Sequence, residues 1–395
     1  MGLSEKKQFD LILKGGNIID PANNINGKMD IAIADKFIAK IDKEIDIEKA
    51  RNVVDVSGMV IVPGLIDLHA HFFGYFASVQ PDPHCIPNGT TTAVDAGGSG
   101  YKTFDEFNSR VITKSITRVF ALLNIAGEGM VGEPEQDLEG MSTEFTAKKI
   151  RQREDLIVGV KVAHYAGPGW EPLDRGVEAV KETGTFLMVD QTPQSSRPMD
   201  KMMLGHMQPG DIVTHCYAYS KPMIDSHNKV HSYFYEARNK GILFDVGHGA
   251  GSFSFKIAKN AISQKFLPDT ISTDMHVSSL ISNHATMPEV MSKLLACGMD
   301  LNDVVQKSTY DPSKKIGRSD LGSLSESTIA DIAVLKISEG DFGLTDNGSG
   351  IRVLNSNKRI ECEMTIKDGK ILWDINGRSK DDWESTPNPY QISNV

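Results

Sequence analysis

The sequence predicts an α/β protein: a TIM-like (β/α)8 barrel, with a small discontinuous β-sandwich domain formed by the N- and C-terminal segments. Three observations point there. Eight compact apolar runs alternate with longer amphipathic stretches between residues 63 and 323, as expected of a barrel of about 250 residues. Short β-patterned segments bounded by Gly, Asn and Asp come before and after that stretch. No Gly-rich phosphate fingerprint follows the first strand, which argues against an open doubly wound sheet.

The elements follow in order. The first β segment, over residues 1–62, contains Asp10–Gly16, Asp30–Asp35, Phe37–Ile41 and Asn52–Ile61 as short strands. The eight barrel strands are Gly64–His69, Thr90–Ala96, Arg118–Ile125, Leu156–Val162, Thr185–Asp190, Asp211–Cys216, Gly241–His248 and Thr270–His276. Asp174–Glu182 and Lys221–Lys240 are helical candidates between them. The second β segment, over residues 324–376, has a strand at Ala330–Ile337. It also has a hairpin in which Ile360–Ile366 and Ile371–Trp373 flank the Asp368-Gly369 turn. Residues 377–395 are polar and contain proline, as a surface tail would.

Composition narrows the partners. The chain has 395 residues and a formal net charge of −10, with no Lys/Arg run. Nucleic acids and anionic membranes both require a positive field, so neither is expected as a partner. The longest apolar runs, such as Val60–Leu68, are interrupted and too short to span a bilayer. Cys85, Cys216, Cys297 and Cys362 are scattered without C-x-x-C spacing. That argues against a disulfide framework or a Cys-rich zinc site and fits a cytoplasmic protein.

In a barrel of this kind, reactive side chains stand at the C-terminal ends of the strands. The first strand ends in His69-Ala70-His71, and residues two apart on a strand share a face. The fourth ends at Lys161, the sixth at His215, the seventh near His248 and the eighth at Asp274. Nitrogen and oxygen donors thus converge on one rim, the ligand mixture that a catalytic zinc site accepts with a position left for water. His248 lies between Gly247 and Gly249, where the backbone can approach a ligand closely, and is a candidate substrate contact. Asp67, Asp95 and His276 are candidates to support the ligands from behind. His84, His164, His206, His227, His231 and His284 receive no role, and Cys216 is expected in the core. The aromatic segment His71–Phe76 could line a substrate wall or pack the rim.

Val62-Pro-Gly-Leu-Ile-Asp-Leu-His-Ala-His resembles the first-strand signature of the amidohydrolase superfamily. The likeness continues in order through Asn88–Gly97, Lys161, Val213–Cys216, Asp245–Phe255 and Ile271–His276. It is most similar to the amidohydrolase/deacetylase group, whose members are dihydroorotase-like or adenine-deaminase-like metallohydrolases. The resemblance implies one or two divalent ions, zinc first and manganese or iron as alternatives. His69, His71 and Asp274 would bind the first ion, a carboxylated Lys161 would bridge, His215 would bind the second, and Asp274 would serve as general base. The chemistry is coherent, because a carbamate gives an anionic two-oxygen donor where an ordinary lysine amine is protonated. Metal binding brings the pKa of water down from 15.7 to about 7.

One position departs from the pattern. The fifth strand normally ends in a histidine ligand, and here Thr185–Asp190 ends in an aspartate. Asp190 can ligate zinc, but its charge takes the sum over ions, carbamate, Asp274 and hydroxide from roughly +1 to roughly 0. A weakened second ion, a harder ion such as Mn²⁺, or a single-metal site is the expectation. The implied reaction is hydrolysis of an amide, cyclic amide or ester of an N-acyl or O-acyl small molecule, deacetylation first. Ring opening as in dihydroorotase and deamination of a purine-like ring are alternatives. A non-catalytic metal-binding relative that holds a ligand or partner is the alternative of another class. A homo-oligomer is also implied.

Overall fold

The computed structural model describes residues 7–346 and 352–385. Alternating apolar residues build the N-terminal strands Phe9–Asp20 (β1), Ile25–Ala34 (β2), Phe37–Asp42 (β3), Ala50–Asp55 (β4) and Val60–Pro63 (β5). β1 runs past Gly15-Gly16, where the sequence suggests a turn, because a bulge between Leu13 and Gly16 absorbs the glycines within its pairing to β2. The expected strand over 52–61 is divided into β4 and β5.

Seven strands then form a second sheet: Leu65–Ala70 (β6), Thr90–Gly100 (β7), Arg118–Asn124 (β8), Ile157–Ala163 (β9), Phe186–Asp190 (β10), Ile212–Val213 (β11) and Leu243–Phe244 (β12). They lie in sequence order, and every neighbouring pair is parallel. β11 and β12 are shorter than the sequence predicts. The eighth segment forms isolated parallel bridges, Asp245 with Thr270 on one side and Ala70 with Met275 on the other. It therefore touches both edge strands of the sheet. Beside these bridges the hydroxyls of Thr214, Thr270 and Ser272 all donate to the Asp245 carboxylate, and single backbone bonds such as Val246 N to Thr270 O carry the contact past the regular strands.

The chain returns to the first sheet with Ile332–Asp346 (β13), Arg352–Lys367 (β14) and Lys370–Asp374 (β15). The path is β15-β14-β13-β5-β1-β2-β3, with β4 also on β1. Antiparallel pairing of Val334 with Ile61 joins the two chain ends. Leu11, Leu13, Ile33, Ile61, Ile332, Val334 and Met364 bury together in one cluster, each such side chain contributing about 1.5–3 kcal/mol. This sheet is discontinuous in sequence, built from strands of both chain ends.

The helix Glu171–Thr183 encloses the expected 174–182 and buries Leu173, Val177 and Val180 on one face. The expected helix over 221–240 forms only at Ser232–Lys240. Pro222 disfavours helical geometry at Lys221, and Lys221 is drawn into the interior instead. At the C-terminus, Arg378 binds the buried Glu363 carboxylate at 2.6 Å, so residues just beyond β15 are tied down. The rest of the expected tail, 386–395, lies outside the described residues. All four cysteines are buried and free. Among the described residues, no helix is long and apolar enough to cross a membrane.

Candidate metal centre

β6 presents His69 at its end and His71 one residue beyond it. Their Nε2 atoms lie 3.5 and 2.9 Å from the same oxygen, Asp274 Oδ1. One donor atom from each of these three buried residues lies within 4.8 Å of the others. Asp274 comes from the eighth segment, whose bridge to Ala70 brings it beside β6. Its backbone is left-handed, with φ 49°, as is that of His215, with φ 56°. Such a conformation is uncommon outside glycine. It turns the chain out of the strand as the side chain enters the site. Gly249 makes room: a Cβ there would stand 2.4 Å from Asp274 Oδ2.

The His69 ring has a fixed proton. Thr214 gives its hydroxyl hydrogen to Asp245 at 2.7 Å, so it accepts from His69 Nδ1 at 2.9 Å. Nε2 is left with its lone pair, as a metal ligand requires. Burial pushes His69 well below the usual histidine range, and Lys161 and His215 add to this, so the ring is neutral. Burial opposes ionisation of Asp274, but the His71 hydrogen bond and the neighbouring His215 charge outweigh it and hold the carboxyl below its ordinary value.

Lys161 is fully buried, with Nζ 3.0 Å from His69 Nε2. A Cβ on Gly97 would meet its stem at 2.7 Å, so that glycine admits the side chain. Burial lowers the amine's pKa, with Asp190 and Asp274 opposing.

Asp190 faces the same space from β10. Its Oδ2 is 3.0 Å from His215 Nε2 and 3.6 Å from His164 Nε2, and its Oδ1 accepts from Lys221 Nζ at 3.0 Å. Burial would raise this carboxyl, but His215 and Lys221 hold it well below the carboxylate range. His215 Nδ1 donates to the Gly247 carbonyl at 2.6 Å. Both His215 nitrogens therefore face acceptors, and a proton or a metal ion has to lie between Nε2 and Asp190. His164, itself left-handed with φ 55°, also meets the buried Glu135 at 3.1 Å. That hydrogen bond raises its pKa.

The other sequence candidates stand further back. Asp67 accepts from the Thr273 amide at 3.0 Å and from the Thr273 hydroxyl, fastening β6 to the eighth segment. Burial pushes its carboxyl up to about 7. Asp95 accepts from the Phe72 and Gly98 amides, each at 2.7 Å, and fixes the loop after β6. The His276 ring lies 6.3 Å from that of His71. The structure does not bring His248 into the cluster. Its ring stacks on Phe253, Nδ1 meets the Gly249 carbonyl and Nε2 meets the buried Lys293 amine.

Sequence reasoning missed Lys221, His164, Glu135, Thr214 and Asp245. The sequence presents Lys221 as the start of a helix, and Pro222 behind it is the available signal to the contrary. A cavity of about 550 Å³ opens beside the cluster, lined by Tyr75, Phe76, Met130, Val131, Glu135 and His164 among others. Tyr75 also packs on His71, with ring centroids 5.2 Å apart. The donor set fits a divalent ion: two imidazoles and an ionised carboxylate, buried and convergent.

A model of the Amidohydrolase family matches residues 172–372. The chain belongs to the amidohydrolase family. This amidohydrolase is 28% identical over 374 residues to a deacetylase of Enterococcus faecalis, covering 92% of this chain and 99% of that protein. It is 31% identical over 332 residues to a deacetylase of Brucella anthropi, covering 81% and 82%. Among solved structures, an adenine deaminase matches with a TM-score of 0.84 and 28% identity, covering 93% of this chain and 100% of that one. A dihydroorotase matches with a TM-score of 0.81 and 26% identity, covering 92% and 99%. With enzyme relatives along nearly its whole length, this amidohydrolase is a hydrolase, and the non-catalytic alternative has no support.

Proposed function

We propose that this amidohydrolase hydrolyses an N-acyl or O-acyl small molecule, with deacetylation as the first reaction to test, and that His69, His71, Lys161, Asp190, His215 and Asp274 surround its divalent metal. The observation that carries the reading is the convergence of His69, His71 and Asp274 within 4.8 Å, next to the buried Lys161 amine. A bound divalent ion would acidify water and polarise the scissile carbonyl.

The chain's own residues do the rest. Thr214 and Asp245 hold the His69 ring with its lone pair outward. Asp274, ionised and touching His71, would take the proton from the attacking water and pass it to the leaving group. Lys161, buried and without a carboxylate within ion-pair distance among the described residues, suits conversion to a carbamate, since burial favours the neutral, nucleophilic amine. We read residues 63–323 as a closed barrel, with 1–62 and 324–376 as the flanking β unit; the bridges on both sides of the eighth segment support the closure. Dihydroorotase-like ring opening and purine-type deamination use the same machinery, and the structural likeness to a dihydroorotase and an adenine deaminase keeps them in the panel.

The test is metal analysis of the purified protein together with a panel of N-acetyl, O-acetyl, cyclic amide and aminopurine substrates. Turnover of acetylated compounds that is lost with a chelator and restored by Zn²⁺ or Mn²⁺ is the expected result. Metal-independent turnover would overturn the reading.

A further inference from the structure

A buried lysine, Lys221, pairs with the partly buried Asp190 at 3.0 Å. Lys221 is 1% exposed, and Asp190 is its one carboxylate partner within 4.0 Å among the described residues. The two carboxylate oxygens have separate tasks. Oδ1 accepts from Lys221, while Oδ2 faces His215 Nε2. An aspartate next to a divalent ion usually brings a full negative charge and two oxygens able to chelate. This one has a single oxygen outside the Lys221 contact, Oδ2, which faces His215 Nε2 at 3.0 Å and His164 Nε2 at 3.6 Å, and its charge is cancelled by an ammonium in contact with it. Its donor properties are those of a neutral imidazole: one atom and no net charge.

We propose that Asp190 and Lys221 work as one unit, a charge-neutral, single-atom donor to the ion on the His215 side, with Lys221 the positioning residue. This rests on the metal-site reading above. It also revises the charge count made from the sequence: with Lys221 included, the sum over the site returns from roughly 0 to roughly +1.

The pair makes an unusual prediction, because its members should act in opposite directions. Lys221→Met removes a positive charge and frees Oδ1, so the protein should hold its metal about tenfold more tightly against a competing chelator. Asp190→His leaves a buried ammonium beside the ions, so retention should fall by about tenfold or more. The double variant Asp190→His/Lys221→Met restores neutrality and should return to within about threefold of wild type. Lys221→Arg keeps the charge and should stay close to wild type.

The readout is metal per chain by mass spectrometry after dialysis against graded dipicolinate, with circular dichroism melting to verify folding. Lys221→Gln replaces Lys221→Met if the latter does not fold. Opposite shifts in the single variants with recovery in the double support the proposal. Loss of metal in both single variants without recovery, or no shift on removing Lys221, overturns it alone. A wild type that holds no ion after supplementation overturns the metal site and this proposal together.

Discussion

His69, His71 and Asp274 meet across one narrow seam, between β6 and the segment beside it, with Lys161 touching His69 from β9. Asp190, His215 and Lys221 come from separate stretches on the far side of the site and hold each other through an ion pair and a shared carboxylate. The first group is organised by backbone geometry and by hydrogen bonds behind it, above all the relay in which Thr214 accepts from His69 and donates to Asp245. The second is organised by charge. Substitutions that shift backbone should therefore damage the first side, and substitutions that shift charge should register on the second.

The largest effect expected is at the seam itself. Asp274→Asn keeps the size and loses the ionised oxygen, and kcat on any substrate turned over should fall about a thousandfold. A variant within tenfold of wild type would remove Asp274 from the proton transfer. Gly249→Ala tests the backbone argument without replacing a ligand. Its Cβ would fall 2.4 Å from Asp274 Oδ2 at a backbone φ of +58°. We expect kcat to drop about a hundredfold through displacement of the carboxylate, with a stability loss of about 1–3 kcal/mol in urea titration. Full activity in this variant would mean that the seam yields easily.

Thr214→Val breaks the relay to Asp245 and leaves the His69 tautomer unset. Metal retention should weaken about 10- to 100-fold, whereas Thr214→Ser should keep it. Equal retention in both variants would mean that the relay does not govern the ring. The smallest effect should be at His164, which is half exposed. Glu135 raises its folded pKa above the usual 6.5. The favourable contact is then fully present below about pH 6.5 and lost as the pH rises through the raised folded value. NMR titration should find its imidazole titrating above the unperturbed value, and His164→Gln should destabilise the protein more in mild acid than at alkaline pH. The reverse order would break the assignment of Glu135 as its partner.

Much of the scaffold was legible because strands buried on both faces read as apolar runs. β6 to β10 fall close to where Gly64–His69, Thr90–Ala96, Arg118–Ile125, Leu156–Val162 and Thr185–Asp190 were placed. The later strands were less legible. Their expected ends, 214–216, 245–248 and 270–276, keep single backbone bonds such as Val246 N to Thr270 O but leave strand geometry at the positive φ of His215, Gly247 and Asp274, and no local pattern reveals that. Within the site, the residues at strand ends could be found by position. Lys221 could not, since it acts from a loop that its composition presents as helix. The surroundings of His248 were hidden for a related reason: Lys293, which meets its ring, lies 45 residues away.

The positive φ angles at His164, His215 and Asp274 narrow what these positions can become. Glycine accepts such a backbone, and asparagine or aspartate tolerates it, whereas valine, isoleucine and threonine strain it. The β-branched members of a saturation library at residue 274 would therefore carry a backbone cost of about 1–2 kcal/mol on top of any loss of turnover. Evolution of this rim toward new substrates has a restricted alphabet at its reactive corners, and most of its freedom lies in the walls around them.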